Sequence, residues 1–233
     1  MENILYFSWF KEENTLKEAW GKLGDFAQST HIHFSRIILP GSPECHQDTQ
    51  FSLTESRILF SEKLSEIQTV TRLFVYSLSA WPVIQALTEE LGTNPELAEL
   101  IQSVVLLHPA KDPLHAVRIM DWIMRWWESE VQSREYFLHW PYEEVYNTLI
   151  DWWNWNWLQF QTDLQHEHTA DVFDLCLQDL REQYAIQITQ LLHPKDFVTN
   201  WEIPSENSRM NAAKAMAAHR PKLAWKDLFK LGL

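Results

Sequence analysis

The stretch Val70-Thr71-Arg72-Leu73-Phe74-Val75-Tyr76 runs without a break into Ser77-Leu78-Ser79-Ala80 and on into Trp81-Pro82-Val83-Ile84-Gln85-Ala86-Leu87. Apart from Arg72, the residues from Val70 to Tyr76 are β-branched, aromatic or aliphatic, which predicts a strand. Apolar side chains follow one another instead of alternating, so both faces of that strand are expected to be buried. Pro82 suits the first turn of a helix, where its missing N–H has no intrahelical partner to lose. A doubly buried strand that feeds a helix through a short serine-bearing turn is the repeating unit of a parallel sheet.

The alternation extends in both directions. Towards the N-terminus, Ile4-Leu5-Tyr6-Phe7-Ser8 reads as a strand, and Leu16, Ala19, Trp20, Leu23 and Phe26 follow at helical spacing. His33 to Leu39 is a second β-rich run, stopped by the turn cluster Pro40-Gly41-Ser42-Pro43. A helix is expected from about Thr54 to about Ile67, with Ser52 and Thr54 as candidate N-caps. Towards the C-terminus, Ser103 to Leu107 ends at His108-Pro109, and Ile186 to Leu192 ends in the same way at His193-Pro194. Strands alternating with helices predict an α/β fold, a mostly parallel sheet of about six strands with helices on both faces.

Between the last two runs the texture changes. Residues 114–184 contain no glycine and carry most of the 13 Trp, among them Trp122, Trp126, Trp127, Trp152 and Trp153. A helical insertion between two strands of one sheet reads as a lid over their carboxyl ends, the edge where open α/β sheets bind ligands. The expected organisation is therefore a core of residues 1–113 and 185–233, with residues 114–184 as the lid. The tryptophans cover more than one helical face; part is read as packing and part as the wall of an apolar pocket.

Composition removes several function classes. A net charge of −13 opposes binding to phosphate backbones, so no nucleic-acid partner is expected. No window of about 18 uncharged apolar residues exists, so no membrane-spanning segment is expected. Cys45 and Cys176 are far apart and belong to no CxxC pattern, which predicts reduced thiols and a cytoplasmic location. The start, Met1-Glu2-Asn3, has no basic segment ahead of an apolar one and does not read as a secretory leader. His166 and His168 flank Glu167, but a spacing of two puts helical side chains on different faces, so a solvated turn is expected and not a metal site.

The chemistry concentrates at Ser77. A serine on a sharp strand-to-helix turn has its hydroxyl lifted clear of the sheet, as a nucleophile elbow requires, and a helix N-terminus beneath it favours developing negative charge. Asp196 lies past the fifth run and His219 precedes the final amphipathic stretch, giving the chain order Ser, Asp, His that this geometry uses. The competing reading of Ser77 is a serine that caps the next helix. Ser79 is the alternative nucleophile, disfavoured because Trp81 would crowd its turn. Asp112 is the alternative acid, with helix capping as its competing role.

Taken together, these residues resemble the α/β-hydrolase fold over almost the whole chain. Leu39-Pro40-Gly41-Ser42 resembles that fold's D-x-P-G-x-G loop, and Tyr76-Ser77-Leu78 its G-[HYW]-S-x-G-G elbow. Val105 to Ala110 resembles the strand after the elbow helix, Leu191 to Thr199 the turn that delivers the acid, and His219-Arg220-Pro221 a shortened histidine region. The chain departs from the pattern where glycines flank the serine: Val75 and Ser79 stand there, and Val75 is expected to crowd the turn. Ser8-Trp9-Phe10 likewise replaces the usual His-Gly after the first strand.

The resemblance implies a serine hydrolase acting on an ester or thioester with a hydrophobic acyl group, free or carrier-bound. Ser77 would be the nucleophile, His219 the proton carrier and Asp196 the group that orients it. Backbone N–H groups of Phe10 and Leu78 would hold the oxyanion, and Trp9, Trp81, Trp122, Trp126 and Trp153 would line the pocket. Neither cofactor nor metal is implied. Two further classes are consistent with the altered elbow: a lyase or cyclase of the same fold, and a catalytically inactive binding scaffold.

Overall fold

Five of the apolar runs form strands, β1 (Asn3–Ser8), β2 (His33–Ile38), β3 (Thr71–Tyr76), β4 (Ile101–Leu107) and β5 (Gln187–Leu191), in the computed structural model, which describes residues 3–8, 33–38, 52–113 and 170–191. The described helices are α1 (Leu53–Ser65), α2 (Ala80–Thr93), the single turn α3 (Leu97–Leu100) and α4 (Ala170–Glu182). Trp9, Phe10, Cys45, Trp122, Trp126, Trp153, His166, His168, His193, Asp196 and His219 lie outside the described residues. Among the described residues no helix is long and apolar enough to cross a membrane.

The strands pair in the order β2-β1-β3-β4-β5, and every pairing is parallel. The described sheet thus has five strands where the sequence predicts about six. β3 lies at its centre, and all of its residues are buried, as a run apolar on both faces demands. The chain moves one way from β1 to β2 and the other way from β2 through β3 and β4 to β5. Right-handed crossovers then put α1, α2 and α4 on one face. The reversal leaves a switch point at the carboxyl ends of β1 and β3, where doubly wound sheets bind ligands.

Local sequence explains the elements. Ser52 caps α1 by accepting a hydrogen bond from the Glu55 N–H at 3.3 Å, and Leu53, Ser56, Phe60 and Leu64 form its buried stripe. Ser56 can be buried because its hydroxyl donates to the Ser52 carbonyl at 2.7 Å. Phe60 meets Phe7 of β1 edge to face, with ring centroids 4.8 Å apart. That geometry contributes about 0.5–1.5 kcal/mol beyond the buried area. α2 lies between α1 and α4, so Trp81, Val83, Ile84, Ala86, Leu87 and Leu91 are buried on more than one side.

α4 belongs to the segment read from sequence as a lid. Its Phe173, Leu177 and Leu180 are fully buried, and Phe173 packs against Trp81 of α2 with ring centroids 5.3 Å apart. This helix packs chiefly against α2 and also meets β5. An amphipathic stripe looks the same in sequence whether it meets a sheet or lines a lid, which is why its role is visible only in the fold.

Candidate active site at the carboxyl end of β3

Register fixes what surrounds Ser77. Val75 pairs with Phe7 on one side and Leu106 on the other, and Tyr76 pairs with Leu107. Val75 is held inside the ladder and fully buried, so its branched side chain packs in the sheet and the chain reverses two residues later. The reversal falls on Ser77, whose φ is 55°. That is the left-handed region, which costs a non-glycine residue about 1–3 kcal/mol unless its surroundings enforce it. Two backbone donors converge on its carbonyl: the Ala110 N–H at 3.1 Å and the Ala80 N–H.

Ser77 is fully buried and opens a single 3₁₀ turn, Ser77–Ser79, that continues directly into α2. Leu78 is the second residue of that turn. Its N–H is by position one of the donors that a helix start leaves without an intrahelical acceptor. The first turn of α2 carries no acidic side chain, so nothing there offsets the positive end of its dipole.

Helix capping does not account for Ser79. Ser79 occupies the N-cap position of α2, yet its side chain makes no capping bond. Among the described residues, the Ser79 hydroxyl is buried with no hydrogen-bond partner. An unpartnered buried hydroxyl costs about 1–3 kcal/mol. Ser79→Ala is therefore expected to stabilise the protein by about 1 kcal/mol, raising Tm in thermal unfolding by about 2–4 °C. A lower Tm would show that the hydroxyl has a partner.

The loop leaving β4 returns to this turn. His108 is also left-handed, with φ 47°, and is buried; its N–H donates to the Leu191 carbonyl of β5 at 2.9 Å. Two residues on, Ala110 reaches Ser77 as described. The Trp81 indole N–H donates to the Lys111 carbonyl at 2.6 Å, and Lys111 Nζ pairs with Asp174 of α4 at 2.9 Å. Asp112, the alternative acid, sits half-buried on the same loop. Trp81 itself is 1% exposed, so its ring is engaged by Phe173 and its N–H by Lys111. The sequence offers His108-Pro109 only as a strand ending; nothing in those residue types announces that the loop folds back on Ser77.

Other groups are placed away from this edge. Burial pushes the Cys176 thiol of α4 above its ordinary pKa, and the nearby Asp179 adds to the effect, so the thiol is protonated at neutral pH. Among the described residues, no three His, Cys, Asp or Glu side chains gather as metal ligands would. A groove of about 310 Å³ between α1 and α2 is lined by charged and polar groups, including Arg57, Glu62, Glu89 and Glu90. It lies along the half of α2 remote from Ser77. Its Arg57–Glu89 pair, 3.0 Å apart and solvent-exposed, contributes at most about 1 kcal/mol. No known protein family, curated protein or solved structure matches the chain.

Proposed function

We propose that this chain is a serine hydrolase of the α/β-hydrolase type, cleaving an ester or thioester with a hydrophobic acyl group. The observation that carries the reading is the left-handed backbone of Ser77, at the carboxyl end of the central doubly buried strand and at the start of α2. A β-region serine would continue the strand; a left-handed one turns its side chain out of the ladder at the switch point. In the proposed reaction, Ser77 Oγ attacks the acyl carbonyl and its proton passes to His219, which returns it to the leaving alcohol or thiol. Water then releases the acid from the acyl-serine by the same route. Asp196 orients the imidazole, or Asp112 does so from the loop that meets Ser77, and the N–H groups of Phe10 and Leu78 bind the oxyanion.

Full burial of Ser77 favours a second reading, a binding scaffold of the same fold with no chemistry. Turnover of aryl esters and acyl thioesters of graded chain length separates the two. The hydrolase reading predicts saturable hydrolysis that improves with acyl length. Binding of the same compounds without turnover would establish the scaffold. Ring closure or elimination in place of hydrolysis would establish a lyase or cyclase. A free Cys176 and its separation from Cys45 support placing the protein in the reducing cytoplasm.

A further inference from the structure

We propose that the loop leaving β4 is a clamp on the Ser77 backbone and that Trp81 is the positioning residue that closes it; the functional weight of the clamp rests on the reading of Ser77 as nucleophile. Two left-handed residues end neighbouring strands, Ser77 after β3 and His108 after β4. The register Tyr76↔Leu107 sets those strand ends side by side. A left-handed serine persists only where its surroundings over-determine it. The turn at His108, anchored by its 2.9 Å bond to Leu191, sends the chain back across β3 and brings the Ala110 N–H to the Ser77 carbonyl at 3.1 Å.

That loop is held from the other side by α2. The Trp81 indole donates to the Lys111 carbonyl at 2.6 Å, and Lys111 is the residue after Ala110. Ser77 and Trp81 flank one turn at the start of α2, so the two hydrogen bonds and the intervening backbone form a closed ring. Phe173 fixes the plane of the indole, and the Lys111–Asp174 pair tethers the ring to α4. Without the indole N–H, the Lys111 carbonyl loses its donor, the loop is released, and Ser77 relaxes towards negative φ. Trp81 therefore acts on the serine through the loop, without contact to substrate.

The test is Trp81→Phe in the full chain, with a small phosphonofluoridate as the probe. Its limiting rate of Ser77 phosphonylation is expected to fall about 10- to 100-fold while the half-saturating concentration stays constant, the signature of lost alignment. The Cα and Cβ chemical shifts of residue 77 are expected to lose their left-handed values. If Trp81→Phe does not fold, benzothienylalanine at position 81 keeps the bicyclic shape without the N–H, and the same changes are expected. Phe173→Leu loosens the same ring but keeps the N–H, so it should lower Tm with the limiting rate retained. The clamp is overturned if the N–H-deficient variants lose only stability, with the shifts of residue 77 unchanged. Failure of the wild-type chain to be phosphonylated at Ser77 overturns the nucleophile reading instead, and the chemical shifts still decide the clamp.

Discussion

Ser77→Ala is expected to lower kcat/KM for an aryl ester by about 10⁴-fold or more, because removal of a serine nucleophile removes the covalent route altogether. The substitution deletes one oxygen from a fully buried position and keeps the Cβ, so the 3₁₀ turn and its two carbonyl donors remain. A loss of that size with an unchanged Tm is a chemical effect and not an unfolding one. Hydrolysis in wild type and Ser77→Ala at equal rates would move the chemistry to another residue, with Ser79 the first to examine.

The second large effect concerns architecture. Phe173→Ala is expected to cost about 3–5 kcal/mol, the range for truncating a buried phenylalanine. For a chain of this length that is a fall in Tm of about 10 °C. Phe173 is fully buried and packs at a tilt against Trp81, so its removal opens a cavity between α2 and α4 and frees the ring that reaches Lys111. Were α4 part of a detachable lid, the same truncation would leave the unfolding of the sheet almost unchanged. Thermal unfolding followed by far-UV circular dichroism distinguishes the two.

What the sequence made legible follows from what residue type controls. Val70 to Tyr76 and Ile4 to Ser8 are apolar on both faces, and that pattern admits one environment, a strand covered on both sides; both form strands within a residue of the expected bounds. The α1 start was legible because a serine before an apolar stripe has a specific role, and Ser52 fills it. α3 was not, since Leu97–Leu100 is too short to show periodicity. β4 begins at Ile101, two residues ahead of the expected Ser103, because the pairing of Thr71 with Ile101 extends it across an irregularity in register. α4 was legible as a helix but not in its packing against α2, because periodicity gives a buried face without saying what buries it.

The site divides in the same way. A turn at Ser77 was legible from the strand and helix around it, but its left-handed backbone was not, because Val75 and Ser79 lack the glycine signature that would announce it. The sequence expectation that Val75 crowds the turn treated the residue as part of the reversal. In the fold it belongs to the ladder, where a β-branched side chain packs well. Trp81 was legible as a large apolar residue near the site. Its hydrogen bond to Lys111 depends on a loop that returns from the next strand, a long-range contact that no local pattern encodes.

The measurement that bears most directly on the central claim is the mass-spectrometric localisation of a fluorophosphonate adduct on the folded wild-type protein. A single adduct on the peptide carrying Ser77, absent after heat unfolding before exposure, is the predicted result. An unmodified Ser77 peptide after prolonged incubation, or an adduct confined to another serine, contradicts it.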